Sequence, residues 1–273
     1  MKNKFEIQKF LKKYSHCETI IEENNINIKN LEEIYKDYIE YLESYENQAN
    51  FIANILRANE CIHSVKSRIK ASDRLIEKIV RKTKDRKEKY GGDFEFTVNN
   101  YKDEINDLIG IRVIHIFKEQ WKEIHDFIIN TWKVIEITAN VREGDNTEIF
   151  NKLGIEVRSR QSGYRSVHYL VEFYPTNKKV IAEIQVRTIF EEGYGEIDHR
   201  LRYSHNEIPE ILKSNLLLFN RIVGSADEMA SLINTLSKEW NKNEWNIKEN
   251  MYKNLIKEKD YEIQRLKEKN NII

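Results

Sequence analysis

The pattern of apolar and polar positions predicts helices in the first third of the chain. Apolar residues in 1–62, which contain no Gly or Pro, recur at helical spacing. They predict two helices, the longer over about 29–58. Residues 72–87 predict another helix, and Gly91-Gly92 predicts the turn that ends it.

The centre of the chain has the pattern of a sheet. Four runs of β-branched and aromatic residues have strand length, at 109–117, 133–139, 165–174 and 179–187, and a helix-like stretch covers 118–131. Pro175-Thr176-Asn177 joins the last two runs and predicts an antiparallel hairpin. After residue 187 the pattern predicts three helices, over 188–204, 208–235 and 236–268. The last is charged and suits a surface helix, a short coiled coil or an oligomer contact. The predicted fold class is mixed α/β (α+β), with helical extensions at both ends.

Composition narrows the class of protein. Forty-five basic and 45 acidic residues give a formal net charge of zero, which excludes a generally basic nucleic-acid binder. A hydrophobic fraction of 40% with two prolines indicates a globular chain with long helices. Two cysteines in no metal-like spacing, no signal-peptide pattern and no long apolar run predict a cytoplasmic protein without a membrane partner.

One stretch departs from this balance of charge. Residues 64–91 carry seven Lys and four Arg against four acidic residues, a local net charge of +7. Lys70, Arg74, Lys78 and Arg81 or Lys82 fall on one helical stripe at i, i+4 spacing. Repulsion along such a stripe favours an anion such as a triphosphate as its partner. A solvated lysine-rich face is the alternative.

Two carboxylates are predicted to meet near this stripe. Asp107 precedes the first central strand, and alternation places Glu183, Gln185 and Arg187 on one face of the last. Carboxylates from two elements beside a basic helix suit Mg²⁺ bridged to substrate phosphates. A salt bridge of Glu183 with Arg112 or Arg187 is the alternative.

An aromatic residue opens the preceding strand. Gly163 permits a tight turn that presents the Tyr164 ring outward, beside Arg165, as base stacking requires. His168 lies farther along this strand, where a hydrogen-bonded core histidine is the alternative to a binding role.

In order, these segments resemble the synthetase domain of the RelA/SpoT family, the alarmone synthetases, and among them the small, single-function type. The matching segments are Arg68-Ile69-Lys70, Asp107-Leu108-Ile109-Gly110-Ile111-Arg112, Ser162-Gly163-Tyr164-Arg165-Ser166-Val167-His168, Glu183-Ile184-Gln185-Val186-Arg187-Thr188, and Asp198-His199 with Tyr203 nearby. The resemblance covers roughly residues 64–205 and implies a nucleotidyltransferase-like mixed sheet flanked by helices. We divide the chain into an N-terminal helical region (1–62), a synthetase-like domain (63–206) and a C-terminal helical extension (207–273).

The resemblance also implies a reaction, in which the β,γ-pyrophosphate of ATP moves to the 3′-OH of GTP or GDP and gives (p)ppGpp. Asp107 and Glu183 would be the catalytic carboxylates that bind Mg²⁺, and Glu183 would help to deprotonate the 3′-OH. The implied ATP-binding residues are Arg68, Lys70, Arg74, Lys78, Arg81 and Arg112, with Arg68 and Arg112 sandwiching the adenine. The implied acceptor-binding residues are Tyr164, stacked on guanine, and Arg160, His168 and Gln185 near the phosphates or ribose.

The chain departs from the family pattern at two places. Arg74 stands where Ser is common. Glu192 and Tyr194 stand where related small synthetases often have Asn, which contacts guanine, and Trp. Because a carboxylate can accept both N1–H and N2–H₂ of guanine, Glu192 is also expected to bind the acceptor.

Two other readings stay open at this point. Toxic small members of the family pyrophosphorylate the 3′-CCA end of tRNA or adenosine nucleotides, and the basic stretch 64–89 and the departure at Glu192 motivate that alternative. A toxin would have a neutralising antitoxin as a partner, and small members are often homo-oligomers. The second reading is a nucleotide-binding or RNA-binding module without catalytic activity.

Overall fold

The strands form one mixed, six-stranded sheet in a computed structural model that describes residues 5–175, 179–204 and 208–270. They are β1 (Ser64–Ile69), β2 (Ile109–His115), β3 (Lys133–Val141), β4 (Glu156–Ser159), β5 (Ser166–Phe173) and β6 (Val180–Thr188). Their order in the sheet is β1-β2-β6-β5-β3-β4. The β2–β6 and β3–β4 pairs are parallel and the other three are antiparallel.

Helices flank this sheet and extend the chain at both ends, as the sequence predicts. Those of the described residues are α1 (Ile7–Lys13), α2 (His16–Glu23), α3 (Ile28–Arg57), α4 (Ser72–Tyr90), α5 (Tyr101–Glu104), α6 (Gln120–Thr131), α7 (Glu148–Lys152), α8 (Ile189–Ser204) and α9 (Glu210–Asn270). Gly91, with φ +108°, ends α4, because glycine adopts this conformation without a steric penalty.

Most of the predicted elements are present, but several details differ. Residues 5–62 contain three helices instead of the two predicted, and the short helices α5 and α7 were not predicted. The antiparallel pairing of β5 and β6 confirms the predicted hairpin, whose turn at 176–177 lies outside the described residues. The pattern did not predict β1 and β4, because both are short and rich in charged side chains. The predicted break at 235–236 is wrong. Since no Gly or Pro occurs after residue 224, α9 continues as one helix to Asn270.

The apolar core lies on the sheet face that is opposite the polar residues of β6. Ala182, Ile184 and Val186 are buried there, and they alternate with Glu183 and Gln185 on the other face. Helix α3 packs across β1 and β2 on this core.

Helix α4 is fixed by its apolar face. Leu75, Ile76, Ile79 and Val80 are fully buried, and burial of each such side chain stabilises the fold by about 1.5–3 kcal/mol. Because this face is anchored in the core, the cationic stripe of α4 has a fixed direction.

The chain divides into two compact units, Met1–Gly224 and Ser225–Ile273. The described part of the second unit, 225–270, is the later part of α9, where large apolar side chains such as Trp240 and Trp245 are exposed. None of the described helices has the length and apolar character needed to cross a membrane. The division into 1–62, 63–206 and 207–273 stays a prediction.

Candidate active site

Strand register brings the predicted site residues together on one face of the sheet. Two rows cross the sheet from β1 through β2 to β6: Arg68, Gly110 and Glu183 in the first, and Lys66, Arg112 and Gln185 in the second. His168 on β5 extends the second row beyond Gln185. Since these positions are two residues apart along each strand, both rows share one face.

Two arginines lie side by side at the β1–β2 end of this face. Gly110 has no side chain, and a Cβ there would lie 3.3 Å from both Cγ and Nε of Arg68, so Arg68 extends directly over Gly110. Arg112 is its diagonal neighbour on the adjacent strand. This placement allows both guanidinium groups to reach one planar base.

Asp107 lies at the start of β2 between two lysines. Its Oδ2 atom is 2.7 Å from Lys70 Nζ on the β1–α4 connection and 2.8 Å from Lys78 Nζ on α4. Burial opposes ionisation of Asp107, but the two ammonium groups outweigh it and lower the pKa to about 2. The carboxylate is therefore ionised at neutral pH.

Glu183 on β6 lies close enough to Asp107 for the charge of one carboxylate to act on the other. Burial raises the pKa of Glu183, and the negative charge of Asp107 adds to this effect. Glu183 accepts hydrogen bonds from His168 (Nδ1 to Oε1, 3.2 Å) and from Gln185 (Nε2 to Oε2, 2.7 Å). These bonds and the ionic interaction with His168 outweigh both effects and leave the pKa of Glu183 below its usual value. The two carboxylates therefore interact electrostatically, and their pairing on one metal ion stays a prediction.

The donor set fits Mg²⁺ in part. Asp107 Oδ1 is buried and accepts no hydrogen bond from any described residue, which leaves one hard oxygen for a cation. The described residues contain no group of three or more His, Cys, Asp or Glu side chains that could hold a metal. Two carboxylates without a full protein cage suit Mg²⁺, which usually binds one or two carboxylates, waters and substrate phosphates.

Tyr164 closes the other side of the site, but not as a free ring at a loop tip. Its hydroxyl oxygen accepts a hydrogen bond from Arg187 Nη2 at 2.6 Å and lies 3.0 Å from His168 Nε2. The Arg187 guanidinium also lies 5.1 Å from the centroid of the Tyr164 ring. The expectation of an outward ring is corrected: Tyr164 is half-buried and orientated by two neighbours.

Glu192 has a different role from the predicted one. It is 6% exposed on α8, and its carboxylate oxygens lie 3.2 Å from Arg112 Nη1 and 3.1 Å from Arg187 Nη1. Lys66 Nζ is 3.5 Å away. This geometry does not support recognition of guanine by Glu192, because the carboxylate is already the counter-ion of three cations. It ties the donor-side arginine Arg112 to Arg187 beside Tyr164.

The remaining basic residues are only partly gathered at this site. Arg81 is exposed and ion-pairs with Glu77 (3.1 Å). The next residue, Lys82, interacts electrostatically with Asp107. Arg74 lies over the Tyr14 ring, with 5.5 Å between the guanidinium and the ring centroid.

The two remaining predicted positions are Arg160 and Tyr203. Arg160 donates to Asn140 Oδ1 at 2.6 Å, at the end of β4. The side chain of Tyr203 lies outside the described residues.

The sequence analysis gave no binding or catalytic role to two residues that contribute to the site, Arg187 and His199. Arg187 is nearly fully buried and touches Tyr164, Gln185 and Glu192. Its position on the polar face of β6 was the available signal. Burial lowers the pKa of His199 on α8. The charge of Glu196 opposes this shift, and the nearby Arg68 and Arg112 add to it. No spacing in the sequence indicates that α8 lies so close to β1.

Comparisons with known proteins identify the family of the chain. A family model described as the region found in RelA / SpoT proteins matches residues 67–208, more than half of the chain. The GTP pyrophosphokinase YwaC of Bacillus subtilis is 25% identical over 201 residues, which cover 71% of this chain and 84% of that protein. A second GTP pyrophosphokinase of that organism, YjbM, is 38% identical over 80 residues, or 27% of this chain and 37% of its own.

Solved structures share the fold. The small alarmone synthetase 1 from Bacillus subtilis bound to its product pppGpp has a TM-score of 0.58 and 19% identity, covering 74% of this chain and 99% of that chain. The same enzyme bound to AMPCPP has a TM-score of 0.56 and 20% identity, covering 75% of this chain and 99% of that chain.

Proposed function

The protein belongs to the RelA/SpoT family, and we propose that it is a GTP/GDP pyrophosphokinase that makes (p)ppGpp. ATP is the donor, and the 3′-OH of GDP or GTP is the acceptor. The observation that carries this proposal is the position of Asp107 and Glu183, with two lysines on one side and Tyr164 on the other.

The cations of the site suit the donor. Before ATP binds, Asp107 is the counter-ion of Lys70 and Lys78, so neither ammonium group is left without a partner. The phosphates of ATP can then replace Asp107 as the partner of both lysines. Arg68 and Arg112 lie beyond them on the sheet and supply planar groups for adenine.

We propose that Asp107 and Glu183 hold Mg²⁺ through the free oxygen of Asp107 and a carboxylate oxygen of Glu183. Mg²⁺ held there would supply positive charge to offset the negative charge that develops on the phosphates during transfer. The lowered pKa values of both residues keep the two carboxylates ionised for this role.

The transfer itself needs positioning and one proton acceptor. The 3′ oxygen of the acceptor attacks the β-phosphorus of ATP, the bond from that phosphorus to the α–β bridging oxygen breaks, and AMP leaves. Glu183, on the acceptor side next to His168, takes the hydroxyl proton. Tyr164, held by His168 and Arg187, provides the face on which the guanine stacks.

The tRNA and adenosine alternatives lose the features that motivated them. Many cations of the basic stretch have partners within the chain: Lys70 and Lys78 with Asp107, Arg81 with Glu77, and Arg86 with Glu104 at 2.5 Å. Glu192 is engaged in ion pairs. YwaC, which covers most of the chain, is a GTP pyrophosphokinase.

Product analysis tests the proposal. The protein is incubated with γ-labelled ATP, Mg²⁺ and an equimolar mixture of GDP, GTP and tRNA, and labelled products are separated. We expect label in pyrophosphorylated guanosine nucleotides. Label in tRNA or in a pyrophosphorylated adenosine nucleotide instead would overturn the proposed acceptor, and no transfer at all would overturn the proposed activity.

A further inference from the structure

The loop that carries Tyr164 is held on both sides of that residue. The Ser162 carbonyl accepts a hydrogen bond from the Tyr194 hydroxyl of α8. The Gly163 carbonyl accepts one from Asn220 Nδ2 of α9 at 2.8 Å. On the other side, the Arg165 guanidinium donates two hydrogen bonds, of 2.6 and 2.9 Å, to the carboxylate of Asp145. Two helices therefore hold the backbone before Tyr164, and a loop residue holds the side chain that follows it.

The contact with Asn220 is the most tightly fitted of these. Asn220 is 1% exposed, so its amide has no water to replace the Gly163 carbonyl. Gly163 has φ +75°, and a Cβ at this position would lie 2.7 Å from Asn220 Cγ. Only glycine fits here, both because of its backbone conformation and because Asn220 fills the adjacent space.

The same face of α9 also receives Arg165. Asn220 Oδ1 accepts from Arg165 Nη1 at 3.5 Å. Gly224, one helical turn later, lies against the same guanidinium, since a Cβ on Gly224 would be 3.2 Å from Nη2. Because residues i and i+4 are neighbours on a helix surface, Asn220 and Gly224 form one continuous surface. This surface contacts the residues on either side of Tyr164, which are Gly163 and Arg165.

We propose that Asn220 is a positioning residue for the acceptor site, through its hold on the backbone next to Tyr164. The proposal rests on the proposed function and assigns a role to a helix that begins beyond the matched family region, 67–208. Loss of the contact loosens the loop and weakens guanosine nucleotide binding. ATP binding is unaffected, because Lys70, Lys78 and Asp107 lie on other elements.

Steady-state kinetics of Asn220→Ala and Asn220→Asp test this role. Aspartate has the shape of asparagine but cannot donate to the Gly163 carbonyl, so it guards against a folding defect caused by lost volume. For both variants we expect KM for GDP to rise about tenfold, as for one lost hydrogen bond, with KM for ATP within twofold of wild type. Asn215→Ala, a change at an exposed site on the same helix, should leave both values unchanged.

A double variant separates the clash from the hydrogen bond. Gly163→Ala alone should raise KM for GDP further, and Gly163→Ala with Asn220→Ala should be no worse than Gly163→Ala, because the clashing atoms are gone. Equal increases in both KM values, or an unchanged KM for GDP in Asn220→Asp, would overturn the positioning role. Absence of transfer by the wild-type protein would instead contradict the proposed function.

Discussion

At the scale of single residues, the site depends on two carboxylates that do different work. Asp107 is the shared partner of two lysines and keeps one oxygen without a hydrogen bond. Glu183 is orientated by His168 and Gln185 on the acceptor side. Their roles can therefore be tested separately. A variant of Asp107 is tested by its stability, and a variant of Glu183 by its turnover.

Replacement of Glu183 by Gln should reduce kcat at least about 100-fold, because one charged metal ligand and the proton acceptor are lost. The unfolding transition should stay close to that of wild type, since glutamine keeps the shape. Glu156→Gln, a change of an exposed carboxylate on β4, is the matched control and should leave kcat unchanged. Near-normal turnover of Glu183→Gln would rule out its catalytic role.

Replacement of Asp107 by Asn should destabilise the fold at neutral pH by about 3 kcal/mol, because two partly buried ammonium groups lose their counter-ion. The folded-state pKa of about 2 lies below the unfolded value of about 3.9. The contribution of Asp107 is thus full above pH 4 and is lost as pH falls toward 2. Urea denaturation at several pH values should show the difference between wild type and variant shrinking over this range. A constant difference would contradict the assignment.

At the scale of elements, helix α8 is joined to the sheet by charge. Glu192 contacts Arg112 of β2 and Arg187 of β6, and Arg112 also pairs with Glu196. These contacts hold α8 over the strands that carry both halves of the site.

Glu192→Gln should lower the free energy of unfolding by about 3 kcal/mol, because it leaves Arg187, which is 3% exposed, without its carboxylate partner. Glu148→Gln removes a highly exposed i, i+4 pair with Lys152 and should cost less than about 0.5 kcal/mol. Chemical denaturation measures both values. Equal small losses would mean that the buried carboxylate has no special structural role.

The sequence predicts strands and helices more reliably than it predicts side-chain partners. Alternation along 179–187 correctly places Glu183 and Gln185 on a polar face, because strand periodicity fixes it. It could not place Glu192, since helical spacing does not say which strand lies beneath. The short strand β1 escaped detection because three of its six residues are polar on the open face of the sheet.

At the scale of the whole molecule, the later part of α9 exposes apolar residues in a pattern that suits an oligomer contact. Met229, Ile233, Leu236 and Trp240 follow the 4-3-4 spacing of a coiled-coil seam, and each is more than half exposed. We expect a second copy of the chain to cover this seam, which would make the protein a homo-oligomer.

Light scattering after size-exclusion chromatography checks this expectation. Wild type should elute as an oligomer, and Leu236→Glu with Trp240→Glu should shift it to the monomer mass, because charges cannot be buried in an apolar seam. Lys238→Glu, off the seam, should remain oligomeric. A monomeric wild-type protein at micromolar concentration would contradict the expectation.

The central claim is that Asp107 and Glu183 serve one transfer of an intact pyrophosphate group between two nucleotides. The most direct measurement is the ratio of nucleotide products formed from ATP and GDP with Mg²⁺. Pyrophosphate transfer predicts AMP and a guanosine 3′-diphosphate product in equal amounts. Formation of ADP in place of AMP would show single phosphoryl transfer and would contradict the account.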